Sequence, residues 1–129
     1  MTLNINIVEA TQKNTYFRHV LSTGPNAQVV VMSIPAGGEI GEEVHEHVDQ
    51  VLVFVAGEGV AILDGDETHV GPDHLVHVPA GARHNVVNRG SFPLRLYTVY
   101  APPQHAQGTI HRTKAEADVD AADHYVPLA

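Results

Sequence analysis

Gln50 to Val70 reads QVLVFVAGEGVAILDGDETHV, and its punctuation decides the fold class. Two apolar runs, Gln50 to Ala56 and Gly59 to Leu63, flank Gly57-Glu58-Gly59, and Asp64-Gly65 parts the second run from Glu67 to Val70. Each run is too short for an ordinary helix and rich in the β-branched and aromatic residues that fit a pleated surface. Asp-Gly between two such runs is a hairpin turn, because tight hairpins need backbone at positive φ. The stretch predicts three consecutive antiparallel strands. Val51 to Val55 is apolar at every position, so cover is expected on both of its faces, from the core and from another strand or a partner subunit.

The same grammar extends outward in both directions. Strands are expected at Leu3 to Val8, Tyr16 to Leu21, Gln28 to Ile34, Glu43 to His47, His74 to Val78, His84 to Asn88 and Leu94 to Tyr100. Between them stand Thr23-Gly24-Pro25-Asn26, Pro35-Ala36-Gly37-Gly38, Gly71-Pro72-Asp73, Pro79-Ala80-Gly81 and Arg89-Gly90, where Gly supplies positive φ and Pro presets a turn. About ten short strands at close spacing imply an all-β chain closed into a jelly roll or barrel, which leaves no long open edge. Pairing should end at Ala101-Pro102-Pro103, since proline has no amide to donate. Beyond Gln104 the sequence turns polar and small, predicting a short helix at Lys114 to Asp118 and otherwise a tail on the surface.

The 129 residues suit one domain, with the core barrel over about 15–103 and a C-terminal extension over 104–129. A net charge of −8, with only 7 basic residues scattered along the chain, argues against nucleic acid as a partner. The absence of Cys excludes a disulfide framework and a thiolate nucleophile. No apolar run has the length of a membrane helix and no secretion signal opens the chain, so a cytoplasmic protein without a membrane partner is expected. Phosphate-binding loops, nucleophile elbows and Cys–His pairs are also missing from the sequence.

His45-Glu46-His47 and His84 carry the chemistry. On an extended strand, residues two apart share a face, so His45 and His47 would point to one side and a neighbouring strand would bring His84 to them. Three neutral imidazoles suit one divalent transition metal, Zn, Fe, Ni, Mn, Co or Cu. Glu43 has the same strand parity and is the candidate catalytic residue, as a general acid/base or as a partner that orients an imidazole. Asn88, four residues beyond His84, is expected to close a turn or pair with backbone. The histidines at 69, 74, 77, 105, 111 and 124 are expected to have no functional role.

GEEVHEHVDQVLVFVAG over Gly41 to Gly57 and PAGARHNVVN over Pro79 to Asn88 together resemble the two motifs of the cupin superfamily. Leu96 to Pro103 further resembles the end of the small single-domain bacterial cupins often labelled mannose-6-phosphate isomerase-like, a label that loans a fold and establishes no reaction. The resemblance implies a jelly-roll β-barrel (double-stranded β-helix), commonly homodimeric, with a metal inside its mouth held by the motif side chains. It makes Gln50, seven residues before Gly57, the fourth metal ligand beside His45, His47 and His84, in a place where cupins most often have Glu. Gln50 follows His47 one residue sooner than the family's usual minimum, and Asp49 is its rival. The expected function is a small metalloenzyme acting on an oxygenated small molecule, of isomerase/cyclase or dioxygenase type. The alternative is a non-catalytic small-molecule-binding or sensor cupin.

Overall fold

The computed structural model describes residues 2–127. Ten strands and two short helices follow one another as α1 (Ile7–Lys13), β1 (Arg18–Thr23), β2 (Gln28–Ile34), β3 (Glu43–Val44), β4 (Asp49–Ala56), β5 (Gly59–Leu63), β6 (Asp66–Val70), β7 (Leu75–Val78), β8 (Arg83–Val87), β9 (Leu94–Ala101), β10 (Ile110–His111) and α2 (Lys114–Val119). They form two antiparallel sheets, ordered β10-β1-β2-β9-β4-β7 and β3-β8-β5-β6. Their inner faces meet in one core that includes Val30, Met32, Ile34, Leu52, Phe54, Ala61, Val86, Leu94 and Leu96.

The turn chemistry works as expected. Asp64 and Gly65 both have positive φ, 49° and 89°, and join β5 to β6 in an antiparallel ladder from Leu63–Asp66 to Gly59–Val70. Gly57 has φ 87°, and a Cβ there would stand 2.5 Å from the Pro93 carbonyl oxygen, so both backbone and space demand glycine. β9 ends at Ala101, directly before the two prolines.

Four expectations need correcting. Leu3 to Val8 is not a strand: Ile7 opens α1, whose N-cap Asn6 accepts a hydrogen bond from the Glu9 amide, while Glu9 pairs with Lys13 one turn on. The strand expected over Glu43 to His47 stops at Val44, and the chain bends at Glu46 and His47. β4 alternates, with Gln50, Leu52 and Phe54 buried and Val51, Val53 and Val55 half-buried. Its outer side meets α1, which packs against β2, β4 and β9, so a helix of the same chain supplies cover assigned to another strand or a subunit. The C-terminal extension is also more than a surface tail, since Ile110–His111 adds β10 to the edge of β1 and buries His111.

Among the described residues no helix is long and apolar enough to cross a membrane.

Candidate metal centre

Glu43 lies directly opposite His84 in the short β3–β8 ladder. Opposed residues of an antiparallel pair project to the same face, and burial of His84 and Val86 against exposure of Arg83 identifies that face as the inner one. Past Val44 the bend carries His45 back toward the pair, held by a 2.8 Å hydrogen bond from the Gly81 amide to the His45 carbonyl. One donor atom each of Glu43, His45 and His84 then lies within 4.8 Å of the other two, and the two imidazole centroids are 5.1 Å apart.

The donors converge without satisfying one another. His45 Nε2 lies 2.8 Å from Glu43 Oε2, but lacks the alignment of a hydrogen bond and is buried with no other partner. His84 Nδ1 sits 3.2 Å from the Ala82 carbonyl; donation to that oxygen leaves Nε2 as the free ligand atom. Burial holds the His84 imidazole below its ordinary pKa, against the opposing pull of the Ala82 carbonyl, and so favours the neutral ring a metal needs. For Glu43 burial works toward protonation, but the His45 ring 2.8 Å away, with Arg18 and His84 nearby, keeps its carboxyl below the usual value. The cluster therefore offers one carboxylate, the neutral His84 imidazole and the His45 ring.

Strand alternation separates Gln50 from Asp49. Gln50 points inward and is 2% exposed; its amide nitrogen donates to Thr98 Oγ1 at 3.0 Å, and its Oε1 is buried without a partner. Asp49 points outward, where its carboxylate accepts the Ala80 amide at 2.8 Å. A buried amide oxygen without a partner, on the residue that pairs with Tyr100 beside the His45 ring, fits a cation or a polar ligand better than it fits an apolar core.

His47 is exposed and lies outside this group, because the bend ends the strand alternation that would have set it beside His45. The same geometry removes the irregular spacing. Only Val48 and Asp49 separate His47 from Gln50, whereas Glu46 to Asp49 separate His45 from Gln50, which clears the family's minimum.

The inner wall also holds groups that local patterning did not single out. Tyr100, opposite Gln50 in the β4–β9 register, packs edge-to-face on His45 at 6.0 Å and on His105 at 4.9 Å between ring centroids. His105 Nδ1 is 2.8 Å from Asp123 Oδ2, and Arg18 Nη1 is 3.2 Å from His111 Nδ1 and 3.9 Å from Asp123 Oδ2. Gln28 fastens this segment to the barrel, accepting from the Gln104 and His105 amides and donating to the His105 carbonyl. Arg18 has the inward parity of Val20, which was the only local signal available.

The Cupin domain family model matches residues 30–100, more than half of the chain and the span that contains both motifs. The chain is a cupin. This cupin is 44% identical over 119 residues to the protein YrkC of Bacillus subtilis, an alignment covering 88% of this chain and 64% of YrkC. The crystal structure of BH2720 from Bacillus halodurans superposes with a TM-score of 0.90 at 42% identity, covering 92% of this chain and 94% of that one. Mannose-1-phosphate guanylyltransferase of Escherichia coli shares 30% identity over 79 residues, which are 61% of this chain but only 16% of the transferase.

Proposed function

We propose that this cupin holds one divalent transition-metal ion through Glu43, His45 and His84, with the Gln50 amide oxygen as a fourth ligand, and acts on an oxygenated small molecule. The observation that carries the reading is the convergence of one donor atom each of Glu43, His45 and His84 within 4.8 Å of one another. A single carboxylate in this set offsets part of the ion's charge, unlike an all-imidazole and amide set. Two imidazoles and a carboxylate with open positions are a donor set used by non-haem Fe(II), so Fe(II) is the first metal to try and Zn(II), Mn(II) and Ni(II) follow. Such an ion would serve as a Lewis acid or oxygen-activating centre, supporting isomerase, cyclase or dioxygenase chemistry.

The chain's own residues define the rest of the site. Ala82 sets the His84 tautomer, Thr98 orients the Gln50 amide, and the Tyr100 ring supports His45 from the side. Glu43 is engaged with His45, which leaves no free carboxylate in the cluster to move a proton. That favours, as a second reading, a protein that binds its small molecule without turning it over.

Metal content of tag-free protein, measured by mass spectrometry after loading, tests the proposal. One ion per chain is expected in the wild type and in His47→Ala, with at least about tenfold weaker retention in Glu43→Gln and His84→Ala. Retention in Glu43→Gln with loss in His47→Ala would overturn the ligand set. Turnover of keto–enol or diol substrates by the loaded protein supports the enzyme reading, and saturable binding without turnover supports the binding protein.

A further inference from the structure

Five buried side-chain polar atoms lack a hydrogen-bond partner among the described residues: Arg18 Nε, His45 Nε2, Gln50 Oε1, Arg95 Nε and His105 Nε2. A buried polar group without a partner is costly, so natural proteins leave few. Four of the five lie about Tyr100, which packs edge-to-face on His45 and His105, pairs opposite Gln50 and is hydrogen-bonded by the Arg18 side chain. Arg18, Gln50 and His105 are 5%, 2% and 7% exposed, so these are built into the barrel wall.

The unused atoms have definite chemistry. Arg18 uses Nη1 on His111 and lies near Asp123, which leaves Nε–H as a free, charged donor. His105 faces Asp123 through Nδ1, so in the neutral ring the proton sits there and Nε2 is a free acceptor. One donor of positive charge and one neutral acceptor, on a wall that reaches the metal cluster through Tyr100, call for a ligand with a carboxylate and a hydroxyl. Their charges also act on one another: Glu43 feels Arg18, and His105 feels both Arg18 and Glu43. In a chain of net charge −8, a buried arginine is the feature that would draw an anion inward.

We infer that Arg18 and His105 form the ligand-recognising half of the site and select a small 2-hydroxy carboxylate, its acid group on Arg18 Nε and its hydroxyl donating to His105 Nε2. This rests on the proposed metal centre only for the side of the ligand that faces Glu43, His45 and His84. Neither residue adjoins those three in sequence.

Isothermal titration calorimetry with lactate, propanoate and propane-1,2-diol tests it, since these share a three-carbon frame and carry both groups, the acid alone or hydroxyls alone. Lactate is expected to bind at least about tenfold more tightly than either, the usual worth of one hydrogen bond to a charged group. In Arg18→Gln its affinity should fall to that of the diol. Equal affinity for the three compounds, no heat from lactate, or unchanged lactate binding in Arg18→Gln would overturn the assignment. The three-compound series is run on the wild type and stands even where Arg18→Gln does not fold. Metal content read on the same sample separates the two proposals. One ion per chain without lactate selectivity overturns the ligand class alone; selective, Arg18-dependent binding in protein that takes up no metal supports the ligand class and overturns the metal centre.

Discussion

Asn88 holds three backbone groups at once: its amide nitrogen donates to the Ile34 and Phe92 carbonyls at 2.9 and 2.8 Å, and its Oδ1 accepts the Gly90 amide at 2.9 Å. It is 1% exposed, so Asn88→Ala would leave buried backbone groups unpaired. We expect a loss of about 2–4 kcal/mol by urea denaturation, with metal content per folded chain unchanged. A change under 1 kcal/mol, roughly the effect of an exposed substitution, would contradict this. The role of Asn88 was legible in its sequence, as a polar residue beside Arg89-Gly90 that closes a turn. Gln50 was picked out by its distance from Gly57, but the sequence left open whether it or Asp49 faces inward; the alternation of β4 buries Gln50 and exposes Asp49. Glu43 was read as a cavity-facing neighbour of the histidines; that it, and not His47, converges with His45 and His84 depends on where a two-residue strand ends, which alternation alone does not reveal.

At the scale of elements, legibility followed the range of the forces involved. β2, β5 and β6 came from apolar runs between Gly and Pro turns, and they form close to where these place them. The β-branched Ile5, Ile7 and Val8 suggested a strand where α1 forms; the Asn6 side chain capping the Glu9 amide is what starts the helix there. The C-terminal segment was least legible, since its order comes from Gln28, Arg18 and β1, far away in sequence. Asp123 makes a prediction for that segment. Burial acts to raise its pKa, but the His105 ring, the Ala106 amide and the Arg18 guanidinium outweigh burial and bring it from 3.8 to about 2; Thr109 also reaches its carboxylate.

Because the folded-state value is the lower one, the unfolded chain takes up the proton first. The stabilisation is complete above the unfolded value near 4 and is lost as pH falls through about 2, a difference of roughly 2 kcal/mol. His105, which burial holds below its ordinary 6.5 despite Asp123, adds a loss of the same sign at higher pH. Denaturation of wild type and Asp123→Asn between about pH 5 and pH 2 should therefore converge on acidification. Parallel profiles for the two proteins would contradict the role assigned to the Asp123 carboxylate.

For the whole molecule, the two sheets bring a shared inner wall together from segments that are remote in the chain. His45 lies on the connection from β3 to β4, His84 on β8, Tyr100 on β9 between β2 and β4, and Arg18 at the start of β1. The sheet order explains why motif residues pointed to a barrel, while the grouping of Arg18, Tyr100 and His105 on one wall emerged only after the strands were assembled. It also removes one argument for a homodimer, since α1 lies against the outer side of β4 that seemed to need a partner. The central claim, a metal centre on Glu43, His45 and His84, is tested most directly by an anomalous difference map from crystals soaked in Fe(II) or Zn(II). The account predicts one peak per chain, within coordination distance of the Glu43 carboxylate and a ring nitrogen each of His45 and His84, at about 2.0–2.2 Å. A peak bound through His47 instead of Glu43, or no peak in the barrel from crystals that take up metal elsewhere, would contradict it.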